Sequence, residues 1–150
     1  MATTITAATG FLIAVVWFDL MFDVQVLRHG RAPQVPASVL ESISSYYRRV
    51  TTTASPMGRL VGLVMVVLLA ALVTQAATGD APVWVSGVSL PAALLAVGLA
   101  AVRVFSRARR LGAREDPVEV RSALARSIFR DHVVCLVAMS VVLGVQLGGA

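Results

Sequence analysis

The sequence predicts an all-α fold: a four-helix transmembrane bundle with an amphipathic interfacial helix in the first cytoplasmic loop. Three observations lead there. Hydrophobic residues make up 57% of the chain and charged residues 14%, against about 45–50% and about 25% in soluble domains. Apolar runs long enough to cross the hydrocarbon core, which takes about 20 helical residues, occur at roughly 5–27, 57–77, 86–106 and 128–148. The basic residues, all arginine, lie between or at the ends of these runs.

The first run opens without the basic segment of a secretory leader and carries two aspartates, so it is expected to stay as a helix. Ser38 and Glu41 have capping-box spacing and open a helix to about Val50. Val39, Leu40 and Ile43 stand there beside Glu41, Arg48 and Arg49, a pattern expected of a helix lying at the membrane surface. Ser55-Pro56 caps the second span. Thr78 to Pro82 is a turn. The third span lies between Val83 and Phe105, firmly helical after Ser89, and Asp116-Pro117 with Glu119 starts the fourth helix before it enters the membrane. The whole chain, 1–150, reads as a single membrane domain.

Arginine position sets the expected orientation. Arg28, Arg31, Arg48, Arg49 and Arg59 belong to the first connection. Arg103, Arg107, Arg109, Arg110, Arg114, Arg121, Arg126 and Arg130 belong to the third. The positive-inside rule then puts both connections in the cytoplasm and both termini outside, in a plasma (inner) membrane. The lack of lysine fits a GC-rich bacterial gene. The net charge of +5 suggests contact with anionic lipid headgroups and not with nucleic acid, because the charge is confined to span ends.

Small residues four apart mark helix contacts in membranes. Gly58 and Gly62, then Ala92, Ala96 and Ala100, then Ser140, Gly144 and Gly148 follow that spacing. They read as packing inside one bundle or as the seam of a homo-oligomer.

Chemistry converges on one level. Asp19 and Asp23 share a helix face near the inner end of the first span. A carboxylate in lipid is costly and turns to the bundle interior, a partner or water. Arg59, Arg103 and Arg130 lie at the same depth on the other spans, and Asp131, His132 and Cys135 follow on the fourth. Three arrangements satisfy this pattern. The arginines can neutralise the acids in an ion-pair layer. Asp19, Asp23, Arg59, Arg103, Arg130, Asp131 and His132 can line a polar site that binds or moves a small solute or ion, with proton exchange. Asp19, Asp23, His132 and Cys135 can hold a metal ion, although no spacing motif supports it. No other cofactor is expected.

His29 reads as a solvated loop histidine, although with His132 it could supply two haem ligands. Tyr46-Tyr47-Arg48-Arg49 reads as an anchor at an anionic lipid surface, with a nucleotide or phosphate site as the alternative. Cys135, the sole cysteine, reads as an inert thiol. The chain carries no P-loop, GxSxG or HExxH motif. The functional classes left open are a binding or transport protein, a membrane enzyme using Asp and His as acid and base on a lipophilic substrate, and an accessory subunit.

Overall fold

The computed structural model describes residues 1–30, 32–53 and 55–149. Arg31 and the Ser55 side chain proposed as a cap lie outside the described residues. The elements are helical throughout: α1 (Ala2–Asp23), a 3-10 stretch (Val24–His29), α2 (Ala37–Arg48), α3 (Ser55–Thr78), α4 (Val83–Leu99), α5 (Phe105–Ala113) and α6 (Val118–Gly148). Single π-helical turns extend α2 (Arg49–Thr53) and join α4 to α5 (Ala100–Val104). Four helical stretches, Ala2–His29, Pro56–Thr78, Val83–Ala113 and Val118–Gly148, are long and apolar enough to cross a membrane. The protein is therefore a small polytopic membrane protein of the all-α bundle class.

The bundle is a square. α6 packs on α1 and α4, and α3 packs on the other sides of the same two helices. Ile5, Leu12, Leu68, Leu72, Ala93, Met139 and Val142 fill its interior. Gly79 ends α3 with a φ of +70° that favours glycine. α4 is helical from Val83 and runs through Pro91, further upstream than the sequence suggested. Within a bundle, neighbouring helices satisfy the groups a proline frees. At the end remote from the arginines, Gln146 on α6 donates to Gln75 on α3 (2.9 Å) and to Ser89 on α4 (3.2 Å), all three buried.

At the arginine-rich end the capping expectations give way to tertiary pairing. α2 starts at Ala37 and α6 at Val118, and neither has a side-chain cap. Glu41 instead meets Arg114 (2.6 Å), Asp116 meets Arg110 (2.7 Å) and Glu119 accepts from Gln34 (2.6 Å). An ion pair or long-range bond satisfies these acids better than the local turn does. α2 is amphipathic, as expected, and its apolar face packs on protein. Leu40, Ile43 and Tyr47 point inward and form a second core with Val26, Val35, Val104, Leu111, Ala125 and Ile128. Burying that face against protein removes it from water as completely as lipid would.

The small-residue stripes divide. Ala96 is buried inside the bundle. A Cβ on Gly58, Gly62 or Gly144 would meet nothing within 4 Å, so these glycines make no close contact within the chain.

Candidate functional site

The site lies where the two cores meet. Its position depends on how α2 is tied down. The Val35 N–H donates to Ser122 Oγ (3.0 Å), and Arg126 donates to the carbonyls of His29 (3.1 Å) and Ala32 (2.6 Å). These bonds pin the first connection to α6. Gly112 lets α5 approach closely: a Cβ there would stand 2.9 Å from the backbone nitrogen of Arg48. The end of α2 is thereby pressed against the ends of α1, α5 and α6.

Two adjacent tyrosines then reach the two acids of α1. Tyr46 donates its hydroxyl to Asp19 (2.6 Å) and Tyr47 to Asp23 (2.7 Å). Phe22 stacks on Tyr46 with ring centroids 4.0 Å apart and fixes the ring plane. His132 of α6 stands between the acids. Its Nδ1 lies 2.6 Å from Asp23 Oδ2 and its Nε2 lies 3.6 Å from Asp19 Oδ2. Burial, and then the negative charge of the facing acid, push both tyrosine hydroxyls above their ordinary pKa, so they remain donors at neutral pH.

The two acids differ in surroundings. The Asp23 side chain is fully buried, whereas that of Asp19 is 18% exposed. Asp19, Tyr46, Tyr47 and His132 border a cavity of 670 Å³; Asp23 lies behind them. Most of the remaining wall is apolar and includes Leu12, Val16, Met65, Ala100, Phe105 and Met139. Both π-helical turns contribute to this wall, through Thr51 on one and Ala100 and Val104 on the other. Such turns are rare and recur at functional sites. The volume falls within the range of small-molecule pockets, about 300–1,000 Å³.

The arginines expected beside these acids go elsewhere. Arg103 (3.3 Å) and Arg107 (2.8 Å) both pair with Asp131. Arg59 borders the cavity, and Arg130 is exposed on α6; neither reaches a carboxylate among the described residues. Among the described residues no three His, Cys, Asp or Glu side chains are placed to share a metal ion. Cys135 borders the cavity and points its thiol at the Ala96 carbonyl (3.5 Å), while His132 is taken up by the two acids.

Tyr46 and Tyr47 are the site residues that sequence reasoning assigned to lipid. A signal was available. Leu40, Ile43 and Tyr47 recur at helical spacing, which places Tyr47 on the apolar face of α2. The short contact between Nδ1 and Asp23 orients the imidazole and turns Nε2 toward Asp19 and the cavity. That is the geometry of an oriented acid–base pair. Comparison of the chain with family models, curated proteins and solved structures returns no match, so its function is argued from this chemistry.

Proposed function

We propose that this membrane protein binds a lipophilic small molecule in the cavity and exchanges a proton with it through His132 and Asp19. The observation that carries the reading is the imidazole held between two carboxyls at one polar border of a mainly apolar cavity. The apolar wall would select the body of the molecule and exclude water. His132 would act as base or acid, Asp23 and Tyr47 would orient it, and Asp19 with Tyr46 would meet the polar group of the ligand. An enzyme of acid–base type on a lipophilic substrate is the activity this arrangement serves best.

Proton-coupled movement of a small solute or ion is the second reading. The partial exposure of the Asp19 side chain favours it. It requires a route past Leu12, Leu68 and Met139, which are buried in the bundle core. In either case the arginine-rich end faces the cytoplasm, both termini lie outside, and Gly62, whose added Cβ would meet nothing within 4 Å, offers a place for a second copy to pack.

The probe 1-pyrenebutanol tests the binding claim. Native mass spectrometry of the protein released from nanodiscs counts retained molecules. The wild type should keep one probe per chain, and Ala100→Trp, which puts an indole ring into the cavity, should keep markedly less. Equal retention by both would refute the assignment of the cavity.

A further inference from the structure

The cavity has a second polar border, of opposite sign to the acids. Arg59 and Arg109 line it together with Thr51. Thr51 and Arg109 also line an adjoining pocket of 470 Å³, whose other walls include Arg48 and Arg110. Arg110 is neutralised by Asp116. Arg48, Arg59 and Arg109 reach no carboxylate among the described residues, whereas Arg103, Arg107 and Arg114 each have one. Among these three, Arg59 lines the first pocket, Arg48 the second and Arg109 both.

Membrane orientation alone does not account for this. The positive-inside rule asks only that arginines stay on one side of the bilayer. Arg28, Arg49 and Arg130 satisfy it without bordering either pocket. Arg48, Arg59 and Arg109, from α2, α3 and α5, instead line the two pockets. Guanidinium groups bind carboxylate and phosphate oxygens through paired N–H donors. An anion gains there and is repelled beside Asp19 and Asp23, so a ligand with an acidic head has one favourable direction of entry.

Resting on the reading of the cavity as a lipophilic site, we propose that its ligand is an acidic amphiphile. The carboxylate or phosphate head sits toward Arg48, Arg59 and Arg109, and the apolar body extends through the cavity and carries the proton-exchanging group to His132 and Asp19. The head belongs either to a bilayer lipid or to a free amphiphile.

A matched pair of probes, 1-pyrenebutanoic acid and 1-pyrenebutanol, tests this in phosphatidylcholine nanodiscs by native mass spectrometry. The wild type should retain the acid roughly tenfold better than the alcohol, a difference one to two ionic hydrogen bonds supply. Arg59→Gln with Arg109→Gln should bring the ratio of acid to alcohol retention to about one. Arg59→Lys with Arg109→Lys, which keeps the charge, should retain part of the preference. Equal retention of acid and alcohol by the wild type would overturn the proposal and leave the cavity reading standing. Retention of neither probe would overturn both. Phosphatidylglycerol in the nanodisc should displace the acid if the head is that of a lipid; undiminished retention assigns it to a free amphiphile.

Discussion

Removing one hydroxyl from each tyrosine measures how far the acids of α1 depend on α2. Tyr46→Phe and Tyr47→Phe delete hydrogen bonds of nearly equal length, 2.6 and 2.7 Å. Their surroundings differ. Tyr47 is 2% exposed and its partner Asp23 is fully buried, so nothing replaces the lost donor. The side chain of Asp19 is 18% exposed, and water can take the place of the Tyr46 hydroxyl. A hydrogen bond to a buried charged group is worth about 1.5–3 kcal/mol, and an unsatisfied buried acceptor incurs its full desolvation cost. Interhelical bonds in bilayers average only about 0.6 kcal/mol, because the unfolded chain finds other partners. Tyr47→Phe should therefore cost about 2 kcal/mol and Tyr46→Phe about 0.5 kcal/mol. Equilibrium unfolding in mixed micelles, followed by circular dichroism, reads both values. In an Asp23→Ala background Tyr47→Phe should cost almost nothing. Equal costs for the two tyrosines, or a Tyr47→Phe effect unchanged by Asp23→Ala, would refute the reasoning.

Two further outcomes follow from the geometry. Gly112→Ala puts a methyl group 2.9 Å from the Arg48 backbone nitrogen and 3.1 Å from its Cα. Backbone cannot swing aside as a side chain can, so the variant should lose about 1–3 kcal/mol, and hydrogen exchange should show α2 loosening before the four spans do. The second is alkaline. The Tyr47 pKa is raised above its ordinary value by burial and by the charges of Asp23 and Asp19. The folded protein therefore keeps a proton that the unfolded chain releases above about pH 10. The contribution is fully present below that pH and is lost as pH rises beyond it, by up to about 1.4 kcal/mol per pH unit. Unfolding midpoints between about pH 8 and 11 should fall more steeply for the wild type than for Tyr47→Phe.

The bundle was legible because the membrane imposes coarse rules. Length and hydropathy mark the spans. The pairing of Asp19 with Asp23 on one face was legible for the same reason, since helical spacing fixes it. What the sequence hid were the partners. Asp116, Glu119 and Glu41 stand where capping residues stand, and the local rule could not know that Arg110, Gln34 and Arg114 would reach them. Arg103 and Asp131 lie on different helices at similar depth, so sequence depth alone could not say that they would choose each other over Asp19 and Asp23. Tyr46 and Tyr47 were read as surface anchors because an aromatic pair beside two arginines is also the mark of a membrane interface. The structure replaces lipid with the end of the bundle, a choice set by long-range packing of α2 on α5 and α6.

The account depends most on His132 lying between the two acids and facing the cavity. The chain has two histidines, so ¹⁵N NMR of imidazole-labelled protein in nanodiscs resolves them, with His132→Gln assigning the signals. Addition of 1-pyrenebutanol should shift the His132 nitrogens and leave His29 in place, and Asp23→Asn should change the resting His132 signal before any probe is added. A His132 spectrum indifferent to both the probe and Asp23→Asn would contradict the central claim.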